Sequence, residues 1–214
     1  MPKYKRFMMK RIVVAIWLVV FGGMVFMSCT KNEENTVALI GTEYYIDDIV
    51  SVIPDSLQSK FWNAFGTIPE GPVPPKIEGS YVVEPKTRVA SNVSMWPLQI
   101  PEPNMWLRFS DQHNGIVKMD LFETTETITD TVFVCGEGQD FAVYFIENMV
   151  SELGKMKRGI VMKGKMTDEG LADFRYATIT LSTENSSSSP ASQTSSGSFF
   201  IYKDGDGLAK IEEW

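Results

Sequence analysis

Three textures of hydrophobic and polar positions follow one another along the chain. From Ile12 to Ser28 an uncharged run (IVVAIWLVVFGGMVFMS) has no polar period of any kind. From Tyr44 to Phe65 the apolar residues take helical spacing. Tyr45, Ile46, Ile49, Val50 and Ile53 recur at i, i+1, i+4, i+5 and i+8, a stripe along one face of a helix. Pro54 interrupts it, and a second short helix is predicted from Asp55 or Ser56 to Ala64, with Leu57, Phe61, Trp62 and Phe65 on one side. Asp55 or Ser56 can cap its start, and Gly66 suits the position just past its end. Pro69, Pro72, Pro74 and Pro75 then predict an extended connector, because proline stops helices and central strands alike.

After the connector the pattern is β. Candidate strands are Glu78–Glu84, Met105–Ser110, Ile116–Glu123, Thr127–Cys135, Asp140–Ile146, Gly159–Met166, Phe174–Leu181, Ser198–Lys203 and Gly207–Glu213. Met105, Leu107 and Phe109, like Val117, Met119 and Leu121, alternate cleanly and are expected to point inward, with Arg108, Lys118 and Asp120 outward. Val132–Cys135 is apolar on both faces, as where a second layer or a ligand cavity covers the outer one. Asp111-Gln112-His113-Asn114-Gly115 carries the Asn-Gly hairpin signal. Gly136-Glu137-Gly138-Gln139 and Asp204-Gly205-Asp206-Gly207 are further tight turns. The prediction is a mainly β domain over residues 77–214: an antiparallel meander of about eight to ten strands closing into a barrel, which removes exposed edges. A two-sheet β-sandwich is the alternative. Residues 182–198 (STENSSSSPASQTSSGS) cannot bury a core and read as a long mobile loop between two strands.

Charge changes the picture at the N-terminus. Lys3, Lys5, Arg6, Lys10 and Arg11 precede the apolar run, with no acidic residue before Cys29. At 17 residues the run is short for a membrane span and long for a signal-peptide core. It ends in Phe26-Met27-Ser28-Cys29, which resembles the bacterial lipobox. The resemblance implies a lipoprotein signal peptide over 1–28 and a diacylglycerol thioether on Cys29. Cleavage before that residue and acylation of the new N-terminus, by palmitate for example, would follow. Two or three acyl chains anchor stably where one does not. An uncleaved membrane anchor with an incidental cysteine is the alternative. Residues 29–43 then form a lipidated, flexible tether, and residues 44–76 the short helices and connector. Thr30-Lys31-Asn32-Glu33-Glu34-Asn35 resembles the export signal of Bacteroidota surface lipoproteins, implying outer-membrane anchoring with cell-surface display; a solvated tether on a periplasm-facing protein is the other reading.

Without the signal peptide the chain carries 15 basic and 27 acidic residues, a net charge of −12. So acidic a body repels phosphate backbones and argues against nucleic acid as a partner. One histidine excludes His-pair zinc sites, and two cysteines exclude a disulfide framework. No cofactor is implied.

Gly79-Ser80-Tyr81 opens the first barrel strand where lipocalins carry Gly-x-Trp, with Tyr81 in place of the tryptophan and no counterpart of their Thr-Asp-Tyr signature. The chain is more closely similar to Bacteroidota lipoproteins with lipocalin-like β-barrels. The residues that carry the likeness are the lipobox, Val134-Cys135-Gly136-Glu137-Gly138 leading into Phe141-Ala142-Val143-Tyr144-Phe145, and the ending Tyr202-Lys203-Asp204-Gly205-Asp206-Gly207-Leu208-Ala209 with Trp214. Its motifs are structural and imply no activity. Asp55-Ser56-Leu57 and Asp130-Thr131-Val132 also resemble the O-glycosylation acceptor motif of that group.

Catalytic chemistry finds little footing, and the expectation is a non-enzyme. Asp204 and Asp206 suggest a calcium loop, but Leu208 and Ala209 stand where a ligand and a glycine are needed. Cys135 and His113 form the only conceivable thiol–imidazole pair, and an inert buried thiol is the simpler expectation. Asp120, Glu123, Glu126 and Asp130 lie among threonines, with no apolar pocket to set two carboxyls apart. The aromatics are more informative: Trp62, Trp96, Trp106, Trp214, Tyr81, Tyr144, Tyr176, Phe174 and Phe200 can fill a core, stack on sugars or pack on acyl chains. The leading expectation is a small, largely apolar ligand bound in the barrel or at its mouth, with Tyr81, Trp106, Phe141, Val143 and Phe145 as lining. The alternative is a surface module that recognises a glycan or a protein through exposed aromatics. An internal apolar cavity favours the first; a filled barrel with an external aromatic patch favours the second.

Overall fold

Alternating apolar positions and short turns build an antiparallel sheet that closes on itself. A computed structural model describes residues 46–94, 97–124, 126–151, 154–185 and 195–213, all within one unit, Asn35–Trp214. The expected signal peptide, Cys29, the expected tether, Tyr45, Trp96, Trp214 and residues 186–194 of the Ser-rich segment lie outside the described residues. The elements are α1 (Ile46–Ser51), α2 (Asp55–Phe65), β1 (Gly79–Val83), β2 (Lys86–Ser91), β3 (Pro101–Glu102), β4 (Met105–His113) and β5 (Ile116–Glu123). They continue as β6 (Glu126–Glu137), β7 (Asp140–Ser151), β8 (Gly154–Thr167), β9 (Gly170–Asn185), β10 (Phe199–Asp204) and β11 (Leu208–Ile211). No helix among the described residues is long and apolar enough to cross a membrane.

The pairing runs β11-β1-β4-β5-β6-β7-β8-β9 and returns from β9 to β11, so eight antiparallel strands form a barrel-like ring. Asn114 and Gly115 both take positive φ, 48° and 74°, the twist that a two-residue hairpin between β4 and β5 needs. Tyr81, Phe109, Phe141, Phe145, Met162 and Phe174 point into the ring, and its core residues are exposed by 5% or less. The Tyr81 hydroxyl donates to the carbonyl of Ile77 at 3.0 Å, and burial pushes that phenol up to about 12.

Three remaining strands leave the ring as a wing, β9-β10-β2-β3. Long β9 pairs with β11 over Gly170–Ala172 and with β10 over Arg175–Ile179, so the sheet forks along it. Asp204 holds the fork. One carboxylate oxygen accepts from the backbone N–H of Glu84 (2.9 Å), and the other from those of Asp206 (3.1 Å), Gly207 (3.0 Å) and Leu208 (3.2 Å). One oxygen thus serves the tight turn, and the other ties the turn to the end of β1. Burial, then Asp206, push this carboxyl up, against the pull of the Glu84 and Leu208 N–H groups.

Three expectations need correction. Strands β2 and β3 were not expected: Lys86 and Arg88 stand at alternate positions of β2 and hide its period, because their partners lie on other strands. The Ser-rich loop begins later than residue 182, since Ser182–Asn185 continue β9 and pair with Gly154–Lys157 of β8. The start of α2 is capped by neither Asp55 nor Ser56. Pro54 holds the cap position without a side-chain bond, and Asp55 lies in the first turn, where its charge suits the helix dipole. At the far end Gly66 takes φ 81° and its N–H donates to the Trp62 carbonyl at 2.7 Å.

The helices cover the outer face of β8, β9, β10 and β2. Ile49, Ile53, Phe61 and Phe65 pack there with Val161, Ala177, Ile179, Phe199 and Ile201. Gly159 makes room for α1: a Cβ there would lie 2.2 Å from a methyl carbon of Ile49.

Candidate functional site

The five sequence candidates divide between two faces of the ring. Tyr81, Phe141, Val143 and Phe145 come together inside it, among the core residues that fill it. Trp106 does not join them. It alternates with inward Met105 and Leu107 and stands half-buried outside, its ring 5.7 Å from that of Phe122, at an interplanar angle of 54°. Phe122 is 39% exposed.

Register explains this outer platform. Trp106 pairs with Phe122, and Arg108 with Asp120, so rings and ions occupy adjacent rows of one face. Asp120 accepts from Arg108 Nε and Nη2 at 2.9 and 2.7 Å and from the Thr129 hydroxyl at 2.7 Å. Burial acts to raise the Asp120 carboxyl, but the Thr129 and Arg108 hydrogen bonds and the charges of Arg108 and Lys118 outweigh it and hold it below the ordinary range. The result is an outer strand face with two mutually tilted rings beside fixed donors and acceptors.

A second feature lies at the end of the ring where the wing folds over it. A cavity of about 190 Å³ is lined by Lys86, Glu102, Glu123 and Arg158 together with Met156, Tyr176, Thr178, Thr180, Phe200 and Tyr202. Lys86, its side chain 5% exposed, bridges wing and ring through Glu123 at 2.9 Å and also reaches Glu102 at 3.7 Å. Arg88 pairs with Glu102, and Arg158 Nε with Glu147 at 2.8 Å. Tyr176 and Tyr202 stack at 5.7 Å, and Lys86 Nζ sits 4.9 Å from the Tyr202 ring centre. Burial raises both phenols, so they remain neutral hydroxyls. None of these cations was singled out from the sequence. The available signal was Lys86-Thr87-Arg88, two charges at strand spacing.

Two grooves on the outside have structural roles. The larger, about 800 Å³, runs past the end of α2. Two of its cations serve that helix end: Arg175 donates to the Ala64 carbonyl and Lys163 to that of Thr67, the latter at 2.6 Å. Burial, then the charge of Arg175, lower the Lys163 ammonium. The other groove, about 430 Å³, lies between the Pro-rich connector and β6–β7 and contains both His113 and Cys135. The Cys135 thiol donates to the Pro69 carbonyl at 3.3 Å, and burial, then Glu70, push it up to about 11. A thiol held protonated in this way is a poor nucleophile. His113 Nδ1 lies 2.6 Å from the Asp111 carbonyl oxygen, a contact within its own turn.

Among the carboxylates, Asp120 faces out and Glu123 lines the mouth, while Asp130 accepts from the backbone N–H of Thr131 at 2.7 Å. Glu102 and Glu123 do approach one another, with Lys86 between them. Both are engaged by cations, which suits hydrogen-bond acceptors better than the acid–base division of labour in hydrolysis. Among the described residues no three His, Cys, Asp or Glu side chains come together as metal ligands. No protein-family model, curated protein or solved structure matches the chain.

Proposed function

We propose that the chain is a lipid-anchored outer-membrane protein, held by acyl chains on Cys29 and displayed at the cell surface, whose ring presents a non-enzymatic recognition surface for glycans. The observation that carries this reading is the Trp106–Phe122 pair, set beside the Arg108–Asp120–Thr129 hydrogen-bonded group. A sugar offers a C–H face that packs on an aromatic ring and a rim of hydroxyls that need donors and acceptors alongside. Both are met on one outer strand face. A small apolar ligand inside the ring is the competing reading. It would have to displace Tyr81, Phe141, Val143 and Phe145 from a close-packed interior. A protein partner of standard size would cover about 800 Å² per side with an apolar centre, and two rings among charges provide less than that.

The test is a glycan array probed with the full mature protein in detergent, followed by titration of the best-bound oligosaccharide. Trp106→Ala is expected to weaken binding by about tenfold or more, as loss of a central aromatic does. An array without a binder, or an unchanged affinity in Trp106→Ala, overturns the glycan reading. A stoichiometric apolar adduct in native mass spectrometry, released by solvent extraction, would return the ligand to the interior. For the anchor, an alkynyl fatty acid fed to cells should label the wild-type protein and not Cys29→Ser.

A further inference from the structure

The cavity at the mouth of the ring has a composition that points to one ligand class. We propose that it binds a single neutral, polyhydroxylated six-membered ring, a pyranose unit, as a site separate from the outer platform. The ligand class rests on the glycan reading above; the site does not.

Size comes first. A cavity of about 150 Å³ takes one benzene ring, so the mouth, at about 190 Å³, has room for one substituted six-membered ring. Access follows from its walls, since Phe200, Tyr202 and Met156 are only half-buried. Charge is next. Lys86 and Arg158 face Glu102 and Glu123 around the cavity, so the lining is balanced. An anion would meet the two carboxylates, and a cation the two bases. A zwitterion would have to separate Lys86 from Glu123, now 2.9 Å apart. Hydroxyl groups need no such separation. Each carboxylate has about four lone-pair sites and an ion pair uses only some, while tyrosine and threonine hydroxyls both donate and accept. Tyr176, Tyr202, Thr178 and Thr180 add four such hydroxyls, and Met156 and Phe200 offer apolar surface for a C–H face.

Stability does not account for the arrangement. Buried ion pairs contribute little net stability, and apolar residues of the same volume would close the mouth as well or better. Lys86 is nonetheless brought in from the wing, its side chain 5% exposed, to meet Glu123 of β5 in the ring. A built, charge-balanced, hydroxyl-rich cavity is the expected form of a site for a neutral polyol.

The experiment is saturation-transfer difference NMR on the full mature protein in detergent. The probes are methyl β-D-glucopyranoside, methyl β-D-galactopyranoside and methyl α-D-mannopyranoside, with glycine betaine and sulfate for comparison. At least one pyranoside is expected to receive saturation on its ring protons, with a Kd of about millimolar order, the range of a few net hydrogen bonds. Thr178→Leu, which fills the cavity from β9 without touching its ion pairs, should weaken that signal about tenfold or more. Thr180→Val, nearly isosteric, serves if thermal unfolding shows Thr178→Leu to be misfolded, and should weaken it several-fold. Three results overturn the inference: no transfer to any pyranoside, transfer to betaine or sulfate instead, or a pyranoside signal indifferent to both threonine variants. A pyranoside signal that falls only with Trp106→Ala would put the sugar on the outer platform and leave the glycan reading standing. Absence of both pyranoside and array binding would remove both.

Discussion

Two outer faces of the same sheet have opposite fates. Over β8, β9 and β10 the sheet presents Val161, Ala177, Ile179, Phe199 and Ile201, and the chain covers them with its own helices. Over β1, β4 and β5 it presents charges, hydroxyls and two rings, and no described element packs on them as the helices do opposite. The covered face uses small residues where a helix must come close, Gly159 beneath Ile49 above all. The open face uses pairs that tolerate water, such as Arg108–Asp120. Where a chain provides its own cover, side chains are selected for packing; where it does not, a half-buried tryptophan beside an exposed phenylalanine calls for another explanation, and a ligand is the natural one.

The sharpest way to break this contrast is to cut into the covered face. Phe61 is fully buried, stacked on Phe65 at 5.4 Å and edge-on to Phe199 at the same distance. Phe61→Ala is expected to cost about 3–5 kcal/mol in chemical denaturation, as transfer and cavity contributions add. A loss under about 1 kcal/mol would mean that the helices are not docked as described.

Next in size, Gly159→Ala should destabilise by about 1–3 kcal/mol, the usual cost of overpacking. The backbone there needs no glycine conformation, so the cost is steric. Ile49→Ala in the same chain should recover part of it, and a double-mutant cycle reads the coupling. Strict additivity would separate the two residues.

On the open face the effects should be small and dependent on pH. The Asp120 carboxyl titrates lower in the folded protein than in the unfolded chain. Its contribution is therefore full above the unfolded carboxylate range and disappears as pH falls through the folded value. Asp120→Asn should cost about 0.5–1 kcal/mol near neutral pH, the scale of a partly exposed pair, and nothing at acid pH. Thermal unfolding at several pH values checks this, and a difference that persists in acid would mean that packing, not charge, holds Asp120.

The smallest expected effect is on stability in Trp106→Ala, within about 1 kcal/mol because the ring is only half-buried, even as glycan binding falls. A large loss of stability with binding intact would make Trp106 a packing residue and erase the distinction between the faces.

Much of this was legible along the chain. Met105, Leu107 and Phe109 needed only a period of two to be placed inside, and Trp106 outside, because a strand sends neighbours to opposite faces. Asn114-Gly115 needed only its backbone preference to become a hairpin. Tyr81, Phe141, Val143 and Phe145 come together in the core of the ring. Whether they enclose a space or fill it could not be read along the chain, since that depends on volumes contributed by strands far apart in sequence.

By itself, the sequence determined the mainly β character, the meander through its turns, the two short helices and the inward rows, all consequences of local periodicity and backbone preference. Tertiary structure alone decided the rest. The fork at Asp204 joins it to Glu84 across 120 positions, and the mouth joins Lys86 to Glu123 across 37. Such contacts depend on how the ring closes, and no local pattern encodes them: a charged residue at a strand position reads as solvent-facing until the partner that buries it has been brought alongside.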